Sequence, residues 1–327
     1  MEKIRACIIG LGRIASLLEE DALREKPCTH AGAIAANEEC ILSAGCDTDE
    51  ERRRLFAEKW NVPVFSGAKE MIDAHKPQIL VIATHPDSHY CFCLLAANMK
   101  VPVIICEKPL ADNISEARKI AKLSKENNPI IITNHERRYS QDYIRIKTIL
   151  NEGKLGSLLA VRAVLYMGKT TKLIDQFWHD GTHLADAIMF LTDQKLKHKR
   201  AWGAKLSSRE GTAWLEGELE KTIPVIIELG AGRDHLVFEI EFSCEKGRLR
   251  IGNGVFEVME SVPSPYAEKF RSLKNTGETF SGATGYFANM LKDAVSCVKN
   301  PQKPPVSGAA NGLQVIEYLN SVRKWKH

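Results

Sequence analysis

The chain lacks any run of about 20 apolar residues able to cross a bilayer, and Arg5, Arg13 and Glu19 interrupt its start, so neither a membrane span nor a signal peptide is predicted. It lacks a block of like charge as well. The 45 basic and 41 acidic residues, leaving a formal charge of +4, are interspersed, as between Asp49 and Arg54, which argues against nucleic acid and against a membrane surface as partners. No Cys-x-x-Cys pair occurs, and the nine cysteines lie mostly in apolar runs such as Ala6 to Ile9 and Val103 to Cys106. That usage predicts reduced, buried thiols in a cytoplasmic protein, with Cys91 and Cys93 packed in a helix and no metal site. Repeats and low-complexity segments are missing too. What is there is ordinary globular composition, 44% hydrophobic and 26% charged, over 327 residues. That length suits two domains of ~100 to 200 residues.

In the first 134 residues short apolar runs alternate with amphipathic stretches, the pattern of a parallel sheet buried on both faces. Strands are predicted at Ile4 to Ile9, Cys40 to Cys46, Val62 to Phe65, Ile79 to Ala83, Val101 to Cys106 and Pro129 to Thr133. Helices are predicted at Asp49 to Trp60, Ala68 to His75, Asp87 to Met99 and Ile114 to Asn127, each long enough for a crossover. This is a doubly wound α/β domain over residues 1–134. Beyond it come a helix around Tyr139 to Asn151, a strand near Leu158 to Met167 and a helix starting near Thr182. From Leu196 onward β-rich segments follow without helices between them: Ala213 to Glu220, Ile223 to Leu229, Leu236 to Phe242 and Val255 to Met259. Such strands pair antiparallel. Helices at Gly285 to Val298 and Ala309 to Lys324 close the second domain, 135–327, the C-terminal helix being able to pack back on the first.

Gly10-Leu11-Gly12-Arg13-Ile14-Ala15 directly follows the first strand and matches G-x-G-x-x-G/A, whose glycines allow a tight turn and close approach of backbone to a pyrophosphate. A helix N-terminus is expected to face that charge. Asp47 ends the second strand, where an acidic side chain accepts from the adenosine ribose, which favours NAD over NADP. It stands 37 residues after Gly10 instead of about 20, so Glu19 to Thr29 is part of an insertion. Thr48 and Glu51 form a capping box for the next helix, leaving Asp47 free for the ribose.

Two further motifs fall at strand ends, Thr84-His85-Pro86-Asp87-Ser88-His89 and Glu107-Lys108-Pro109, and a fourth is His183-Leu184-Ala185-Asp186. With the Gly10 to Ala15 loop, in this order and followed by a β-rich half, they make the chain resemble the Gfo/Idh/MocA oxidoreductases. The resemblance implies a Rossmann domain joined to an α/β domain with a large open, mainly antiparallel sheet, used for a homodimer or homotetramer. It also implies oxidation or reduction of a carbinol carbon on a sugar or cyclitol. Gly10, Gly12, Arg13, Ile14, Asp47, Thr84, His85, Pro86, His89 and Glu107 are then the cofactor-binding candidates. Lys108 takes the place of the family's catalytic lysine and His183 that of its histidine. Where relatives carry Asp four residues before that histidine, this chain has His179, with Asp180 next to it; one of the two completes the site.

The chemistry supports these roles independently. Hydride transfer from a secondary alcohol needs a base for the hydroxyl proton, and a lysine beside the cationic oxidised ring in a partly desolvated cleft has its charged form disfavoured twice over. Histidine titrates near neutrality and passes the proton on. Plainer roles compete: Lys108 as a solvated loop lysine, and His183 as a residue packing at a helix start. Zinc at His179 and His183 is disfavoured by Gly181 and by the lack of a third ligand. Asp186 orients His183 or satisfies a buried neighbour, Arg138 meets substrate or an interdomain carboxylate, and Trp178 lines the pocket or packs in a core. Two other functions use the same fold: a non-catalytic NAD-binding sensor, and an oxidation coupled to elimination on a sugar.

Overall fold

Runs of Ile, Val, Leu and Cys with few charges cannot face water on either side, and the computed structural model puts them where they meet none. It describes residues 2–126, 129–168, 172–282 and 284–324. Six strands, β1 (Ile4–Ile9), β2 (Cys40–Cys46), β3 (Val64–Phe65), β4 (Ile79–Ile82), β5 (Val103–Cys106) and β6 (Ile130–Thr133), form one parallel sheet in the order β3-β2-β1-β4-β5-β6. Every residue of β4 and β5 is buried. The crossovers carry α1 (His30–Ala36), α2 (Glu50–Trp60), α3 (Ala68–His75), α4 (His89–Asn98) and α5 (Ile114–Glu126). Asn127, the expected last residue of α5, lies outside the described residues.

Two local expectations need correcting. The loop at Gly10 does not run into an α-helix: Ser16 and Leu17 N–H bond back to the Gly12 carbonyl, a short 3-10 helix follows at Leu17–Glu20, and α1 begins only at His30. The insertion is the cause, because it brings Thr29 to the helix start, where its hydroxyl accepts the Gly32 N–H at 3.1 Å. Nor do Thr48 and Glu51 cap α2. Asp49 is the capping residue, accepting the Arg52 N–H at 3.0 Å, and its own N–H is held by Asp47 at 2.9 Å.

The chain divides into two compact units, one comprising Met1–Ser140 with Thr284–Ile316, the other Gln141–Ala283 with Glu317–His327. The first unit's core contains Ile8, Leu11, Phe56, Ile79 and Ile105, and it is completed by Phe287, Met290, Leu291 and Val295 of α9 (Tyr286–Lys299). The second unit is a sheet of eight strands in the order β14-β13-β12-β11-β7-β10-β9-β8. They are β7 (Leu158–Met167), β8 (Leu196–Gly203), β9 (Gly211–Leu219), β10 (Pro224–Ala231), β11 (Leu236–Cys244), β12 (Gly247–Gly252), β13 (Val255–Pro263) and β14 (Arg271–Asn275). All neighbours run antiparallel except β10 and β7, because β7, the first strand in sequence, inserts between β10 and β11. Helices α6 (Gln141–Glu152), α7 (Leu173–His179) and α8 (Gly181–Thr192) belong to this unit, and α10 (Ala309–Arg323) is divided between the two.

Candidate active site

In the first sheet Ile9 pairs with both Cys46 and Ile82, Ile82 with Cys106, and Cys106 with Thr133. The residues that follow, Gly10, Asp47, Ala83-Thr84, Glu107-Lys108 and Asn134, therefore line one edge, on both sides of the point where the strand order reverses. Open α/β sheets bind ligands there. Gly10 has φ +85°, and a side chain on it would begin 2.7 Å from the Ala83 carbonyl oxygen. At Gly12 the nearest atom to that position among the described residues, chain neighbours aside, is Arg52 Nη1, 3.9 Å away, so the peptide presents an open face. Arg13 is exposed and Ile14 half-buried. Asp47 is buried, with Oδ2 accepting the Leu11 N–H at 2.7 Å and Oδ1 the Asp49 N–H at 2.9 Å. It is thus tied to the glycine loop instead of standing free, yet two of a carboxylate's roughly four acceptor positions remain. An open glycine face beside an anchored carboxylate fits a dinucleotide.

Thr84 and Ser88 share a hydroxyl hydrogen bond of 2.7 Å at the end of β4; His85 is exposed and Pro86 half-buried. His89 is wholly buried, with Nε2 3.1 Å from the Thr84 carbonyl and Nδ1 3.1 Å from that of Pro109. Burial pushes its pKa down against the opposing pull of the carbonyls that face both ring nitrogens, and the ring sits between the two strand-end loops. Glu107 is buried too. Oε1 accepts from Asn134 Nδ2 at 2.6 Å and lies 2.7 Å from His30 Nε2, while Oε2 accepts the Lys108 N–H at 3.2 Å. Burial alone raises this carboxyl's pKa, but the contacts with His30, Asn134 and Lys108 outweigh it and hold it below the usual value. Glu107 therefore stays ionised and fixes the peptide that carries Lys108, whose side chain is half-buried.

In the second unit α7 and α8 meet at Asp180, and Gly181 is required there because a side chain would collide with the Phe177 ring. The Asp180 carbonyl accepts the His183 N–H at 3.1 Å, and the His179 carbonyl accepts the Thr182 hydroxyl at 2.8 Å. His179 is exposed, with Nδ1 3.1 Å from Asp180 Oδ1, so the two candidates for the third role touch each other. Asp186 is buried one turn beyond His183. Trp178 is half-buried, its ring 5.3 Å from the Arg323 guanidinium. In the first unit Arg138 is buried and donates to the Val306 carbonyl at 3.3 Å.

Residues 4–135 match the model of an oxidoreductase family with an NAD-binding Rossmann fold, Gfo/Idh/MocA. Inositol 2-dehydrogenase of Salmonella typhimurium is 22% identical over 250 residues, 75% of this chain and 69% of that protein. Among solved structures, myo-inositol 2-dehydrogenase of Lactobacillus plantarum superposes with a TM-score of 0.75 at 22% identity over 99% of this chain and 97% of that one. A dehydrogenase of Chromobacterium violaceum gives 0.79 at 14%, covering 99% and 95%. Both share the Rossmann sheet and the large, mainly antiparallel sheet in one fold. Within residues 4–135, sequence reasoning missed His30. The insertion hid His30 from the glycine motif, and its one local signal was Thr29 ahead of an Ala-rich helix.

Proposed function

We propose that the chain is an NAD(P)-dependent dehydrogenase or reductase moving hydride between NAD(H) and a secondary alcohol or ketone carbon of a sugar, cyclitol or sugar derivative. The observation that carries this is the shared register, which sets the glycine loop, the Asp47 carboxylate, the Thr84 loop and Lys108 on neighbouring strand ends. A bound nicotinamide supplies the hydride acceptor or donor. Glu107 holds the Lys108 peptide through its N–H, and the Lys108 amine takes the hydroxyl proton during oxidation and returns it during reduction. His183 is assigned the second proton-handling role, with Asp180 or His179 as its carboxylate or imidazole neighbour. Similarity to an inositol 2-dehydrogenase supports a polyhydroxylated substrate.

A screen of polyols, sugar acids and nucleotide sugars for NAD reduction, followed by absorbance, tests the activity. Against the best substrate, Lys108→Ala and His183→Ala are each expected to lower kcat by ~10²-fold or more with cofactor affinity nearly unchanged. Near-normal kcat in both variants refutes the assignment. Tight NADH binding with no turnover on any substrate favours a sensor, and a dehydrated product favours the elimination chemistry.

A further inference from the structure

The hydrogen-bond ladder of α1 reaches back across the insertion. The His30 N–H is accepted by the Ile14 carbonyl at 3.2 Å and the Ala31 N–H by that of Ala15 at 2.9 Å, so the turn after Gly12 and α1 form one ladder from which the intervening segment loops out. Set by that ladder in the first turn of α1, His30 is buried, with the Phe287 ring edge-on at 5.1 Å and Nε2 2.7 Å from Glu107 Oε1. A carboxylate offers only acceptors, so Nε2 carries the hydrogen. Asn134, after β6, donates from Nδ2 to the same oxygen at 2.6 Å, while its own Oδ1 is buried and meets no donor among the described residues. Turned over, the amide would set oxygen against oxygen, so the carboxylate fixes its orientation. Two donors thus converge on Oε1, and Oε2 is left to accept the Lys108 N–H at 3.2 Å.

We propose that His30 and Asn134 are positioning residues for proton transfer at Lys108: they hold one Glu107 oxygen so that the other holds the Lys108 peptide, with the carboxylate kept beside the Lys108 amine. This rests on Lys108 being the proton-handling amine. Burial works against a charge on Glu107, and His30, Asn134 and the Lys108 amine favour it. His89 on α4 and Cys106 on β5 are the other titratable groups that feel this carboxylate. The attraction to Lys108 is mutual, so an ionised Glu107 raises the affinity of the amine for its proton. Removing a donor from Oε1 leaves burial to protonate Glu107. The amine then loses a negative neighbour and releases its proton at lower pH.

Competitive labelling of the full chain with acetic anhydride, carried through the neutral and alkaline range and read by mass spectrometry, gives the pH at which the Lys108 amine loses its proton, without substrate or cofactor. Exposed Lys69 serves as internal reference. His30→Leu and Asn134→Ala are each expected to lower the Lys108 midpoint by about one pH unit or more, the scale of losing a neighbouring charge, and to leave that of Lys69 in place. His30→Gln, which can donate to the same oxygen, is expected to stay near the wild type. Where a substrate turns over, the limb of kcat/KM that Lys108 sets should move with the labelling midpoint. An unmoved Lys108 midpoint in either His30→Leu or Asn134→Ala overturns the assignment of that residue, and a His30→Gln midpoint as low as that of His30→Leu overturns the hydrogen bond as its cause. Full activity of Lys108→Ala instead overturns the reading on which the proposal rests, whatever the midpoints. Circular dichroism of each variant separates these results from misfolding.

Discussion

Gly10 and Gly12 are two residues apart and carry different burdens. Gly10 has a left-handed backbone and no room for a Cβ, so Gly10→Ala is expected to cost about 2 kcal/mol or more of stability, read as a lower denaturant midpoint. Gly12 faces open space, so Gly12→Leu is expected to keep the wild-type midpoint and lose NADH binding by calorimetry. A fall in stability equal to that of Gly10→Ala would contradict the open face. Asp47→Ala strands the Leu11 and Asp49 N–H groups, and should lose about 1 to 3 kcal/mol of stability while weakening NADH more than NADPH. At Glu107 the depressed carboxyl pKa sets the sign of a pH effect: its stabilisation is present above the ordinary value of 4.5 and is lost as pH falls through the acid range. His30→Leu removes one of its partners and leaves burial to raise that pKa. The variant is expected to lose about 2 to 4 kcal/mol at neutral pH and to begin acid unfolding at a higher pH than the wild type. An acid transition at the wild-type pH would remove His30 from this role.

Individual elements were legible to different degrees, for physical reasons. Strands buried on both faces, such as Ile79–Ile82 and Val103–Cys106, announce themselves as unbroken apolar runs, and the motifs at their ends were placed correctly along the sheet edge. β12 and β14 did not, because Arg248 and Arg250 break the apolar run in one and the other, Arg-Ser-Leu-Lys-Asn, is mostly exposed. α7 is not predicted from the sequence, and Gly181 just after it marks the close packing of the start of α8 over the Phe177 ring near the end of α7. Candidate residues were recognisable by type and position, but their partners were not, since the contacts of Glu107 with His30 and of Asp47 with Leu11 span 77 and 36 residues. Gly181→Ala is expected to displace the start of α8, costing about 1 to 3 kcal/mol in thermal unfolding and lowering kcat with His183. Full stability in that variant would show that the Phe177 ring yields.

At the scale of the whole molecule, the large sheet carries a row of alternating charge. Arg200, Glu216, Ile226, Arg162, Glu241, Arg250 and Glu257 are successive partners from β8 to β13, and none of them is buried. A face patterned this way can meet its own copy across a two-fold axis, so we expect a homodimer or homotetramer formed through it and loosened by salt. Light scattering that finds only the 36.5 kDa chain at micromolar concentration contradicts this. The path of the backbone has a further consequence for how the protein comes into being. A ribosome that has released Ser140 has made every strand of the first sheet but none of Phe287, Met290, Leu291 or Val295, which that sheet's core still needs. The dinucleotide-binding unit thus waits, with apolar surface uncovered, while more than a hundred residues of the other unit are translated. Chaperone binding to the nascent chain should peak in that interval and fall once α9 emerges.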